Sequence, residues 1–161
     1  ETSKYVIRET IKFLLKQNIP KQISLNVNIP DCTLDQLKGL KMLIDDISEP
    51  REGFRLPEKN DVQKLLDFTN DWDQSKPIII HCHMGISRST ATSLGVICKY
   101  DPDNLELHVE KLKELAPHAS PNKLMTKFVD EILNLDSRLA KTLDFFDPEP
   151  IEESRIVEFD F

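Results

Sequence analysis

The chain has 161 residues, 39% of them hydrophobic and 30% charged, with a net charge of −7. That is one domain of ordinary size, able to bury about 70% of its unfolded surface without disulfide support. The hydrophobic share excludes a disordered chain, no apolar run nears the roughly 20 residues of a membrane span, and no basic run is present to meet nucleic-acid phosphates.

Expected partners therefore include neither nucleic acid nor membrane. The opening Glu1–Tyr5 carries no leader pattern, and the apolar stretch after it is broken by Lys12 and Lys16. With Cys32, Cys82 and Cys98 as an odd set of three cysteines, this predicts a reducing, cytoplasmic setting. The cysteines form no C-x2-C pair, so a zinc knuckle is excluded.

In chain order, residues 9–18 place Ile11, Leu14, Leu15 and Asn18 at helical spacing before Pro20 ends the element. Ile23–Val27 alternates like a strand, and Lys41–Ile44 is a second short apolar strand. Two prolines and a glycine make residues 45–58 a loop. A helix over about 59–73 gathers Val62, Leu65, Leu66 and Trp72 on one face, and leaves Asp61, Asp67, Asp71 and Asp73 as solvated charges. Phe68 and Trp72 are expected to pack under the sheet.

Pro77–His81 is a continuous apolar run, the pattern of a strand buried on both faces. Residues 89–100 read as a largely buried helix that carries Cys98 as a core residue. A further helix is capped by Asp103 and carries Leu105, Val109, Leu112 and Ala116; another is capped by Ser120 with Pro121 at its first turn, and carries Leu124, Phe128, Val129 and Ile132. The tail from about 144 is irregular and acidic, with Ile156, Val157 and Phe159 able to return as an edge strand. The expected class is α/β.

The chemistry concentrates in Ile80-His-Cys-His-Met-Gly-Ile-Ser-Arg-Ser89, a Cys-x5-Arg stretch between a buried strand and a helix. Cys82 is a nucleophile if it is held as thiolate. A loop wrapped at a helix N-terminus, built from His83, Met84, Gly85, Ile86 and Ser87, converges backbone N–H groups on one point and favours both a phosphate dianion and the thiolate. The planar fork of Arg88 suits two phosphate oxygens. Gly85 permits a positive φ or a close backbone approach. Ser89 opens the helix within reach of the Cys82 sulfur, and His81 is a structural support rather than a general base. These are the parts of a phosphate-ester hydrolase.

The stretch resembles the signature of the cysteine-dependent protein tyrosine phosphatase superfamily, in its compact dual-specificity-like branch. Asp46-Ile-Ser-Glu-Pro50, Pro77-Ile-Ile-Ile-His-Cys82, Gly85-Ile-Ser-Arg-Ser89 and Ala116-Pro-His-Ala-Ser-Pro-Asn122 are similar to small bacterial members of that branch. The resemblance spans roughly residues 20–140. It implies a single domain over 1–161 with a central, mostly parallel sheet of about four to five strands flanked by helices. It also implies a phosphocysteine intermediate, no metal or organic cofactor, and a phosphorylated protein or small phosphomonoester as substrate. Family members carry an aspartic general acid after the strand that here reads Lys41–Ile44. Asp46 is preferred, with Asp45, Glu49 and Glu52 as alternatives, and the separation from Asp46 to Cys82 is longer than usual in the branch.

The lysine that lipid phosphatases of the superfamily place in the loop is missing at Ile86 and Ser87, which speaks against an inositol phospholipid. Some relatives protect the catalytic thiolate by a reversible disulfide, for which Cys32 is the candidate partner of Cys82. The leading expectation is a protein-tyrosine or dual-specificity phosphatase. A phosphate-reading domain without turnover, and a sulfur-transfer or arsenate-reducing enzyme, are the alternatives.

Overall fold

Three short strands run parallel in the order β2-β1-β3: β1 (Lys21–Leu25), β2 (Lys38–Met42) and β3 (Ile78–His81). The computed structural model describes residues 21–25, 38–75, 78–150 and 157–159; the helix expected over 9–18, and Cys32, lie outside them. Register sets the layout. Ile23, fully buried, lies opposite Leu40 on one side and Ile80 on the other, and Ser24 is level with both Lys41 and His81. The segments leaving β2 and β3 therefore emerge at the same carboxyl edge of the sheet, one on either side of β1, where open parallel sheets build their sites.

Both early strands begin before their expected positions, and Leu43 and Ile44 have already left the sheet, Ile44 to be fully buried in the core. The described residues contain three strands rather than four to five. The four residues of β3 are half-buried, not enclosed on both faces; β1 is their one described neighbour. Of the expected edge strand, Ile156 lies outside the described residues, and Val157 and Phe159 form no strand. Phe159 instead lies against His108, ring centroids 6.1 Å apart, with the Lys111 ammonium 4.9 Å from its ring.

The first described helix, α1 (Lys59–Asp67), buries Val62, Leu65 and Leu66 as its spacing demands. It stops well before residue 73 because side chains take its last carbonyls: Thr69 Oγ1 and Lys99 Nζ both donate to Leu66 O, at 2.8 and 2.7 Å. Trp72, beyond that turn, packs edge-on against Tyr100 at 5.4 Å. Asp61 corrects the sequence expectation most sharply. It is 2% exposed, accepting from Glu58 N at 2.9 Å in a capping box and from Arg55 Nη2 at 2.6 Å, while Asp67, Asp71 and Asp73 are exposed.

Helix α2 (Arg88–Tyr100) is buried over most of its length and packs against α1, α3 (Leu105–Leu115) and α4 (Lys123–Leu133). A 3-10 turn at Pro102–Asn104 precedes α3, so Asn104 rather than Asp103 stands at its start, with Leu105, Val109, Leu112 and Ala116 buried. The cap of α4 is Asn122 rather than Ser120: its side chain accepts from Met125 N at 3.1 Å. Met125 and Val129 are the fully enclosed apolar residues of α4, with Leu124, Phe128 and Ile132 half-buried. A short helix that the sequence pattern did not disclose, α5 (Arg138–Leu143), is held by the buried Asp130 carboxylate, which accepts from Leu139 N at 3.0 Å and Ala140 N at 2.8 Å.

Gly95 marks the crossing of α1, α2 and α4. A Cβ there would sit 2.9 Å from Val129 Cγ2 and 3.4 Å from Leu66 Cδ2. Val129 is β-branched and stiff in a helix, so it cannot swing aside. Alanine improves helix propensity by about 1 kcal/mol, but overpacking of this kind costs roughly 1–3 kcal/mol. Gly95→Ala is expected to lower the urea midpoint; an unchanged or raised midpoint would show that the helices separate freely.

Candidate active site

At the carboxyl end of β3 the chain passes Cys82, turns through residues 83–87, and enters α2 at Arg88. Cys82 is 3% exposed and its Sγ lies 3.2 Å from Ser89 Oγ. Gly85 takes φ +74° with open space around its missing Cβ, so the constraint is conformational: a side chain there costs about 1–2 kcal/mol. Two loop carbonyls are engaged by the first turn of α2 and by the segment leading into α4. Ile86 O accepts from Ser120 N at 2.9 Å and Thr90 Oγ1 at 2.6 Å; Ser87 O accepts from Ala91 N at 3.0 Å and Asn122 N at 3.2 Å. No described peptide bond is cis, so the N–H groups that share those peptide planes, on Ser87 and Arg88, point the opposite way. His83 and Met84 are exposed on the loop.

Arg88 is 7% exposed. Its Nη1 donates to Ile44 O at 2.9 Å, while its Nε is buried without a hydrogen-bond partner and lies 4.0 Å from Asp46 Oδ2. A buried donor left in this state calls for an acceptor, and an oxyanion seated over the loop would supply one.

The two adjacent aspartates go separate ways. Asp45 closes its own loop: its N donates to Arg55 O at 2.9 Å and its Oδ2 accepts from Arg55 N at 2.7 Å. The Arg55 guanidinium continues the clamp to Leu43 O and to the buried Asp61. Asp46 turns toward the thiol loop. Its Oδ1 accepts from Ser87 Oγ at 2.6 Å and from Asn122 Nδ2 at 3.1 Å, and the side chain keeps 40% exposure. Ser87 thus spends its hydroxyl on Asp46 rather than on capping α2. Glu49 and Glu52 are exposed within the same loop.

Cys82, Arg88, Ser89, Asp46 and the loop His83–Ser87 are therefore brought together, and Asp45 is turned to the loop's base. Asn122 was assigned no part by sequence reasoning. Asparagine caps helices as well as serine does, so Ser-Pro-Asn left the choice of cap ambiguous, and its contact with Asp46 spans distant parts of the chain. Cys98, 1% exposed, is a core thiol pushed up to about 12, first by burial and then by the Asp130 charge. Among the described residues no three His, Cys, Asp or Glu side chains gather as a metal site, and no helix is long and apolar enough to cross a membrane.

The same fold recurs in solved phosphatase structures. DUSP15 superposes with a TM-score of 0.60 at 21% identity, covering 83% of each chain. Human tyrosine phosphatase-like serine/threonine/tyrosine-interacting protein gives 0.61 at 16% identity, over 80% of this chain and 85% of that one. PTPMT1 in complex with PI(5)P gives 0.59 at 15% identity, over 79% and 85%. The architecture around the Cys82 loop is thus the α/β fold of the dual-specificity and protein tyrosine phosphatases. No protein-family profile matches the sequence, and no curated protein does.

His81, the last residue of β3, has its pKa lowered by burial to about 4 from an ordinary 6.5, so it is a neutral imidazole at physiological pH. The unfolded chain takes up this proton first on acidification. Stability contributed by the neutral ring is complete above about pH 6.5 and is lost as pH falls toward 4. Urea unfolding between those limits should show the loss, and His81→Gln should flatten it. An equally steep decline in the variant would assign the pH dependence to other groups.

Proposed function

We propose that the chain is a cysteine-dependent phosphomonoester hydrolase acting on phosphotyrosine, and on phosphoserine or phosphothreonine in proteins as a dual-specificity enzyme does. The observation that carries this is the meeting of three groups at one sheet edge: the enclosed Cys82 thiol, the buried Arg88 fork with its unpartnered Nε, and the Asp46 carboxyl beside it. The fold shared with dual-specificity phosphatases supports it.

In this scheme Cys82 attacks phosphorus as the thiolate, forming the S–P bond as the ester P–O bond breaks. Arg88 and the N–H groups of residues 83–88 hold the equatorial oxygens through the transition state. Asp46, protonated, gives its proton to the leaving oxygen. Its carboxylate then takes a proton from water, which attacks the phosphocysteine; the S–P bond breaks and inorganic phosphate departs. The Ser89 hydroxyl, within hydrogen-bond distance of the sulfur, stabilises the departing thiolate. No step calls for a metal or organic cofactor. A thiolate nucleophile suits a reducing compartment such as the cytoplasm. The loop carries Ile86 and Ser87 and no lysine, which favours a phosphoprotein over a phosphoinositide such as the one bound to PTPMT1.

The test is a panel of phosphotyrosine, phosphoserine and phosphoinositide substrates with Cys82→Ser as control. Phosphotyrosine peptide should be turned over fastest, and Cys82→Ser should abolish turnover while still binding phosphate. Asp46→Asn should lower kcat by about 100-fold or more on phosphotyrosine, and Asp45→Asn far less, because that carboxylate faces Arg55 N. Binding of phosphopeptide without turnover by the wild-type protein would make it a phosphate-reading domain instead.

A further inference from the structure

We propose that Asn122 is a positioning residue for the general acid, one that assigns proton delivery to Asp46 Oδ2. This rests on the hydrolase function proposed above and concerns the same site.

Asn122 is 4% exposed, and its polar groups are occupied across three segments. Its Oδ1 accepts from Met125 N at 3.1 Å, which caps α4. Its Nδ2 donates to Asp46 Oδ1 at 3.1 Å and to Ile47 O at 3.2 Å, on the acid loop. Its backbone N donates to Ser87 O at 3.2 Å, on the thiol loop. One buried amide therefore fixes the acid loop against the thiol loop, with the end of a helix as anvil.

The donors select between the two carboxyl oxygens. Asp46 Oδ1 already accepts from both Ser87 Oγ and Asn122 Nδ2, so a proton on that oxygen would have to displace the amide donor or reverse the Ser87 hydroxyl, and Oδ2 carries neither cost. Oδ2 faces the Arg88 side, 4.0 Å from Nε, where the phosphoryl group must sit. The proton is carried on Oδ2, and Asn122 keeps that oxygen turned inward. A donor is indispensable to this role, whereas capping α4 needs only an acceptor oxygen. Asn122→Asp therefore separates the two duties: the carboxylate still caps, but it cannot donate to Asp46 and places a like charge beside it.

The experiment is a series of aryl phosphates of rising leaving-group pKa, with wild type, Asn122→Asp, Asp46→Asn and the double variant, alongside thermal melts. Asn122→Asp should still unfold cooperatively, at a lower temperature than wild type because it buries a charge beside Asp46 and Ile47 O. It should lose about tenfold in kcat/KM on the poorest leaving group and less than about threefold on para-nitrophenyl phosphate, with no further loss in the Asp46→Asn background. Asn122→Ser, which keeps a capping oxygen without a charge, gives the same comparison if the aspartate variant melts low. A loss equal across all leaving groups, or one that persists undiminished in the Asp46→Asn background, would overturn the positioning role and leave Asn122 a structural cap. If wild type turns over while Asn122→Asp and Asn122→Ser follow its leaving-group dependence unchanged, the positioning role alone falls. If wild type turns over none of the series, the hydrolase function falls and takes this role with it.

Discussion

A single buried hydrogen bond fixes the geometry on which the site depends: Arg88 Nη1 to the carbonyl of Ile44, at 2.9 Å. It joins the first residue of α2 to the segment leaving β2. The parallel register has already put the ends of β2 and β3 at one edge, but a register alone leaves the loops free to part. Because Ile44 is fully buried and Arg88 nearly so, the bond is made where water does not compete, and it anchors the chain immediately before Asp45 and Asp46. The remaining ties build on it. Arg55, Asp61 and Asp45 brace the base of the loop that carries Asp46, and Ser87 and Asn122 hold Asp46 to the thiol loop.

The acidic chain, with a net charge of −7, is otherwise poorly suited to bind an anion. The positive potential must be local, and the structure shows where it arises: an enclosed guanidinium with a free Nε, the start of α2, and peptide N–H groups turned away from carbonyls that are satisfied elsewhere. The contrast between two cysteines follows from the same placement. Cys82 sits at the mouth of that helix beside a hydroxyl, whereas Cys98 lies deep on its flank, where desolvation and then the Asp130 charge outweigh the opposing Arg138 and hold its thiol protonated.

Much of this was legible in the chain because it is local. The apolar run ending at His81, the Gly85 that takes a positive φ, and the serine and arginine opening a helix all lie within a dozen residues, and each is dictated by its immediate backbone. The resemblance prefers Asp46 to Asp45, but the separate paths of the two side chains are set beyond their own segment, where Arg55 claims one and Asn122 the other. Asp61 passed as a solvated charge because its arginine partner lies outside its helix. α5 escaped notice because a six-residue helix has too few turns for a periodic pattern, and its cap, Asp130, comes from another helix. The C-terminal end of α1 and the start of α3 shifted for a similar reason: Lys99 and a 3-10 turn, not the apolar spacing, decide them.

The central claim is that Cys82 becomes covalently phosphorylated during turnover. Rapid acid quenching of the protein with a labelled aryl phosphate, followed by peptide mapping, tests it directly. The account predicts label on the peptide containing Cys82, formed in a burst that matches the enzyme concentration and absent from Cys82→Ser. Steady turnover with no label on that peptide, or with label on a different residue, would contradict it.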